Sequence, residues 1–305
     1  MPLRNGGIVC VGNFDGVHRG HQSLIAQARD YAETHDITLI GLSFDPHPRQ
    51  FFAPTQPVFA LTSPQEKAAW LRHYGISQLI TLAFDDDLAA MSAQDFITNI
   101  LCEIMQISAI CVGADFRFGK GRTGNIATLQ AQDYFTPLIV DDLTMHDGMP
   151  VSSSRVRDAV LHADLALLRD LLGRDYQFCA RIIKGDQLGR RLGFPTANLD
   201  FAQRLAPKYG VYAVRACLNP DRLAQDPARQ NWPLCGVMNC GVRPTVDGMQ
   251  PRYEVHLFDF AADIYDQQLH VCPIAYLRDE QKFANQETLR AQIAIDCAKA
   301  RHLFA

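Results

Sequence analysis

The chain has 305 residues, 48% of them apolar and 20% charged, and a formal net charge of -4. That balance suits two soluble globular domains and excludes a disordered chain. It also excludes a general polyanion binder, whose affinity would rest on many Lys and Arg contacts to phosphate.

The N-terminus carries no apolar signal core, and Ile8–Val11 is strand-length, too short to span a membrane. The nine cysteines form no Cys-x-x-Cys pair and no zinc-ligand cluster. They read as free thiols in a reducing compartment, so the expected location is the cytoplasm.

From there the first half alternates strand and helix patterns. Strands are predicted over Ile8–Gly12, Ile37–Phe44, Leu79–Phe84, Ala109–Gly113 and Pro137–Val140. Helices are predicted over Gly20–His35, Pro64–Tyr74, Ala93–Met105 and Thr128–Tyr134, and Ser63 with Glu66 matches a capping box. This order implies a parallel sheet with helices on both faces. Such sheets bind ligands beyond the carboxyl ends of their strands.

Ser153–Leu172 reads as consecutive helices, and beyond Gly173 the texture changes. Gln177–Lys184, Val211–Cys217, Cys235–Asn239, Tyr253–Phe258 and Leu269–Leu277 are short strand-like runs, a barrel or sandwich pattern. Gln286–Leu303 is an amphipathic helix with Leu289, Ile293, Asp296 and Ala300 at helical spacing. Asn219–Trp232 reads as an exposed loop. The expected division is 1–175 and 176–305.

The densest motif lies between the first strand and the first helix: Gly12-Asn-Phe-Asp-Gly-Val-His-Arg-Gly-His21. Gly12, Gly16 and Gly20 permit a tight turn and close approach to a ligand. The following helix offers unpaired N–H groups and the positive end of its dipole. His18 and His21 share one side of the first turn, where they can donate hydrogen bonds to a leaving pyrophosphate. Neither the P-loop nor the dinucleotide fingerprint is present. Val151-Ser-Ser-Ser-Arg-Val-Arg157 opens a helix, and its serines and Arg157 can grip phosphates. Phe44-Asp-Pro-His-Pro48 is a stiff loop. In Val112-Gly-Ala-Asp-Phe-Arg-Phe-Gly119, Phe116 and Phe118 suit either a stack on a planar ring or a place in the core.

Together these elements resemble the FMN adenylyltransferase half of the bifunctional bacterial riboflavin kinase/FAD synthetase family. The resemblance implies that Gly12, Asn13, Phe14, Asp15, Gly16 and Gly20 cradle ATP phosphates. It implies that His18 and His21 act on them, with Ser152, Ser153 and Arg157 closing from the other side. Pro46, His47 and Pro48, with Asp115, Phe116 and Phe118, would shape the flavin and adenine pockets.

The second motif is Gly185-Asp-Gln-Leu-Gly-Arg-Arg-Leu-Gly-Phe-Pro-Thr-Ala-Asn198. A mobile Gly-rich loop can cover phosphates with backbone N–H groups. Thr196 and Asn198 share a face in extended chain, and their oxygens suit Mg²⁺. Downstream lie Gly236–Thr245 and Glu254-Val-His-Leu-Phe-Asp259; Glu254, His256 and Phe258 share a face, and a carboxylate there can take a proton from a primary alcohol. This half resembles riboflavin kinase. The resemblance implies a six-stranded antiparallel barrel with a C-terminal helix, ATP contacts at Gly185, Gly189, Arg190, Gly193 and Pro195, and Mg²⁺ at Thr196 and Asn198. It assigns the base to Glu254 and flavin contacts to Arg278, Glu280 and Phe283. The family has Tyr-Gly where this chain has Tyr265-Asp266; if positive φ is needed there, aspartate fits less well than glycine, and a small local change is expected.

The expected activities are therefore riboflavin plus ATP to FMN, then FMN plus ATP to FAD and pyrophosphate. Riboflavin, FMN, FAD and ATP are the expected partners, with Mg²⁺ required and no permanently bound cofactor. Nucleic acid and membrane are excluded, and a weak homo-oligomer is left open. Two alternatives are a single adenylyltransferase on another phosphorylated substrate with an accessory barrel, and a flavin-sensing or nucleic-acid regulator. The second nucleotide motif opposes the former, and negative charge with two sets of catalytic motifs opposes the latter.

Overall fold

The computed structural model describes residues 6–56, 59–145, 147–185, 188–201, 204–218, 226–228, 232–245 and 248–305. The chain divides into two compact units, 1–58 with 67–153 and 59–66 with 154–305. The helices after residue 153 thus pack with the second unit, upstream of the composition change at 174–180.

In the first unit β1 (Gly7–Val11), β2 (Thr38–Asp45), β3 (Gln78–Ala83), β4 (Ala109–Gly113) and β5 (Thr136–Val140) form one sheet in the order β3-β2-β1-β4-β5. Every pairing is parallel. Near-continuous apolar runs make this possible: all five residues of β1 are buried. Helix α1 (Arg19–His35) buries Leu24, Ile25, Ala28 and Ala32 of the stripe its spacing predicts, leaves Tyr31 of that stripe half-buried, and ends on Asp36 at φ 54. Phe96, Ile97 and Leu101 fill the core with Val9, Ile40 and Val112. Each large side chain fully buried this way contributes about 1.5–3 kcal/mol. Strand order reverses beside β1, so the carboxyl end of β1 is the switch point where ligands bind.

The helix predicted over Pro64–Tyr74 is present as Pro64–His73 (α3), while two short helices on either side of it escaped the sequence pattern, Pro48–Phe52 (α2) and Asp86–Ala90 (α4). The helix expected over Ala93–Met105 is one α-turn, Ala93–Asp95 (α5), continuing as a π-helix over Phe96–Ile104. The one expected over Thr128–Tyr134 is Ile126–Gln130 (α6), started early by an Asn125–Thr128 capping box.

In the second unit α7 (Ser153–His162) and α8 (Leu165–Leu172) precede the strands. The six strands β6 (Phe178–Ile183), β7 (Ala197–Leu199), β8 (Gly210–Cys217), β9 (Leu234–Thr245), β10 (Gly248–Leu257) and β11 (Gln268–Arg278) close a barrel in the order β10-β7-β6-β11-β8-β9. All pairings are antiparallel. Alternate burial along β6 shows the two-residue period of a strand with one face inward. β9 and β10 run longer than the expected Cys235–Asn239 and Tyr253–Phe258 because their ladder continues through Gly241, Pro244 and Pro251. The Gly-rich segment is not all loop: Leu188–Leu192 is a short helix (α9), closed by Gly193 at φ 89. Asp186, Gln187 and residues 219–225 and 229–231 of the expected loop lie outside the described residues. Helix α10 (Gln286–Phe304) lays Cys297 and Ala300 against Val211, Ala213 and Val237.

The second unit holds a buried ion pair. Arg204, 8% exposed, binds Glu66, 3% exposed. Glu66 also accepts from Cys179 N–H at 2.7 Å and from Ser63 N–H at 2.7 Å, so the predicted capping box and the ion pair share one carboxylate. None of the nine cysteines forms a disulfide, and burial pushes the Cys179 thiol up to about 12, far from thiolate chemistry.

Candidate functional site

Among the described residues, two cavities of the barrel share one residue. The larger, about 390 Å³, is lined by Thr196, Asn239, Arg252, Glu254, Arg278, Glu280 and Phe283, and by Leu289, Ile293 and Asp296 of α10. The smaller, about 260 Å³, lies between Arg190, Pro195, Ala197, Val255, Leu257 and the Phe260–Tyr265 turn. Thr196 lies in the wall of both.

Strand register builds the polar centre. Glu254 pairs with Asn198 on one side and Asn239 on the other, so a row of polar side chains crosses three strands on one face. Thr196 Oγ1 donates to Glu254 Oε1 at 3.2 Å. Arg252 Nη2 binds the same oxygen at 2.9 Å, and Arg252 Nε donates to Asn198 Oδ1 at 3.4 Å. Val255 and Leu257 point the other way and are buried, the alternation read from the sequence. Two glycines are required by close approach: a Cβ on Gly185 would stand 2.3 Å from the Asn198 amide, and one on Gly189 2.4 Å from the Phe194 carbonyl. At the rim Arg278 forms a bidentate pair with Asp296 of α10, with Nη2 to Oδ2 at 2.7 Å. Asp266 has φ 64, the left-handed backbone suspected at this position. Its exposed carboxylate pairs with Arg181 at 2.8 Å.

In the first unit the Gly12–His21 loop caps the carboxyl end of β1. Gly12 N–H donates to Leu42 O at 3.0 Å. Phe14 at φ 52 and Val17 at φ 42 are left-handed and fully buried, and Gly16 has φ 80. His18 caps α1: its Nδ1 accepts from His21 N–H at 3.4 Å, which leaves the proton of a neutral His18 on Nε2 as a donor. The two imidazoles stack at 3.7 Å, and Phe14 meets His21 edge-on at 5.3 Å. Ser153 Oγ donates to Asp15 O at 2.9 Å, tethering the loop.

Residues 2–155 match the FAD synthetase family, and residues 172–304 match the riboflavin kinase family. A bifunctional riboflavin kinase/FMN adenylyltransferase of Escherichia coli strain K12 is 36% identical over 303 residues, covering 99% of this chain and 94% of that one. The protein of the same name from Pseudomonas fluorescens is 40% identical over 309 residues, covering 100% and 95%. The chain belongs to the bifunctional riboflavin kinase/FMN adenylyltransferase family. A crystal structure described as a macrolide-efflux protein from Streptococcus pneumoniae shares the fold of this family member, at 28% identity and TM-score 0.83, covering 96% of this chain and 94% of that one. Among the described residues no helix of this family member is long and apolar enough to cross a membrane.

Within this family member the structure gathers Gly189, Thr196, Glu254, Arg278, Glu280 and Phe283 around the larger cavity. It puts Arg190 and Pro195 on the smaller one. In the first unit His47 caps α2 through Nδ1, accepting from Arg49 N–H at 3.0 Å, and Pro48 begins that helix. Phe118 is 8% exposed, in the core and stacked at 5.4 Å on half-buried Phe116. Arg157 belongs to the second unit, where Nε donates to Phe59 O at 2.9 Å. Sequence reading missed Asn239 and Arg252, whose strand partners were unknown. It also missed Phe52, 69% exposed among Phe51 and Phe84 near the ends of β2 and β3.

Proposed function

We propose that the barrel unit phosphorylates riboflavin and the sheet unit adenylylates the resulting FMN, the two activities named for the relatives. The observation that carries the kinase half is Thr196 in the shared wall of two cavities, hydrogen-bonded to Glu254. The larger cavity takes the flavin, with its isoalloxazine toward Phe283 and Arg278 and its ribityl 5′-hydroxyl toward Glu254. The smaller takes the nucleoside of ATP against Tyr265 and Ile264. Glu254 accepts the proton as the hydroxyl oxygen attacks the γ-phosphorus and ADP leaves. Thr196 Oγ1 and Asn198 Oδ1 are hard oxygen donors beside Glu254, so the residues fit Mg²⁺. When bound there, Mg²⁺ neutralises phosphate charge.

In the sheet unit the FMN phosphate displaces pyrophosphate from the α-phosphorus of ATP. His18 and His21 donate to the leaving group, and loop N–H groups hold it. Asn13 Oδ1 is buried without a hydrogen-bond partner among the described residues, a place for a ligand donor or cation. Exposed Phe52 supplies a flat apolar surface for flavin. Nine cysteines without a disulfide suit a cytoplasmic setting.

The activities separate by fragment. Purified full-length chain given riboflavin and Mg-ATP should form FMN and then FAD on a chromatogram. A fragment of residues 176–305 should stop at FMN, and FAD from it would overturn the assignment. That fragment should also melt below the full chain, because it lacks Glu66, which pairs Arg204, and Ala60 O, which accepts from Leu205 N–H at 2.8 Å.

A further inference from the structure

Beneath the Gly12–His21 loop lies a lysine that belongs to none of the recognised motifs. Lys67, on α3, donates from Nζ to the Asn13 carbonyl at 3.2 Å and to Ser43 Oγ at 3.2 Å. Ser43 Oγ in turn lies 3.4 Å from the same carbonyl. Ser43 is fully buried, Asp15 is 6% exposed and Lys67 is half-buried, so the site is largely closed to water. Burial pulls Lys67 below the ordinary lysine range, while Asp15 and Asp45 draw it back up. A half-buried ammonium is costly compared with an apolar side chain, and it persists where its hydrogen bonds hold something in place.

What it holds is strained. Phe14 and Val17 sit at positive φ, a backbone that persists only where its surroundings fix it. Side-chain ties converge on this stretch: Lys67 and Ser43 on the Asn13 carbonyl, Ser153 on the Asp15 carbonyl, and Gln22 Nε2 on the Val17 carbonyl at 2.9 Å. Each tie takes a carbonyl oxygen, and only Lys67 brings a positive charge.

We propose that Lys67 is a positioning residue for adenylyl transfer, clamping the Asn13 carbonyl so that the loop's N–H groups and the Asn13 side chain face the nucleotide phosphates. This rests on the reading of the loop as the site of FAD formation. The charge strengthens the clamp, because a cation donates a stronger hydrogen bond than a neutral group in a site largely closed to water.

The test uses full-length Lys67→Met and Lys67→Arg, assayed for FAD formation from supplied FMN and for riboflavin phosphorylation by the same preparations. Lys67→Met should lower kcat for FAD formation about 10²-fold, the usual cost of losing alignment at a distance, with the KM for FMN little changed. Riboflavin phosphorylation should stay at the wild-type rate. Lys67→Arg keeps charge and donors and should recover most of the loss. The proposal is overturned if Lys67→Met forms FAD within roughly threefold of wild type, far inside the expected loss. It is equally overturned if Lys67→Arg is as slow as Lys67→Met, or if both activities fall together with the melting temperature. Wild-type chain that makes no FAD would reject the underlying reading of the loop, a result distinct from any of these.

Discussion

Replacing Glu254 by Gln should slow riboflavin phosphorylation by about 10²–10⁴-fold, the usual worth of a general base. The substitution is nearly isosteric. A glutamine oxygen still accepts from Thr196 Oγ1 and Arg252 Nη2, which hold Glu254 Oε1 at 3.2 and 2.9 Å, so the local geometry survives while basicity is lost. The loss should appear in kcat with little change in KM for riboflavin or ATP, because the proton moves only in the transition state. FAD formation from supplied FMN should be unaffected. Steady-state rates for the two substrates measured separately decide the matter. A folded Glu254→Gln chain with near wild-type kinase turnover would remove Glu254 from the step and leave positioning and Mg²⁺ to carry it.

His21→Ala should have the opposite selectivity. It should cut FAD formation by about 10²–10³-fold, the cost of removing one transition-state donor, and leave FMN formation intact. The side chain stacks on His18 at 3.7 Å and abuts Phe14 at 5.3 Å, at the N-terminal turn of α1. The His18 cap is made through the His21 backbone N–H, which alanine retains, so the helix start should persist. FAD output within roughly threefold of wild type at saturating FMN would make His21 a packing residue, since the expected loss is far larger.

Much of this architecture was legible because it depends on local pattern. The buried strands β1, β2 and β4 are apolar runs, and α1 buries all but Tyr31 of the positions its spacing marks. The barrel was legible as a pattern of short strands, and its closure into six strands came from the family resemblance. What sequence could not show was long-range pairing. β7 is three residues long and acquires its meaning by lying between β6 and β10. Asn239 and Arg252 become neighbours of Glu254 through register and side-chain reach alone. Glu66 read as a helix cap and is one, yet its second partner, Arg204, is 138 residues away. Phe118 illustrates the reverse difficulty: two aromatic residues flanking an arginine fit a ligand platform as well as a core, and the packing against Phe96 puts Phe118 in the core. Lys67 carried no motif at all, since a lysine on an amphipathic helix ordinarily faces solvent.

The central claim is that one chain holds two separate catalytic sites, one for each step, and mixing two chains each crippled in one site tests it most directly. Glu254→Gln alone, given riboflavin and Mg-ATP, should make little FMN or FAD. His21→Ala alone should accumulate FMN. Combined in one tube, they should convert riboflavin to FAD, because FMN released by the His21→Ala chain is adenylylated by the Glu254→Gln chain. FMN accumulating in the mixture without FAD, although the Glu254→Gln chain adenylylates FMN supplied directly, would contradict the account.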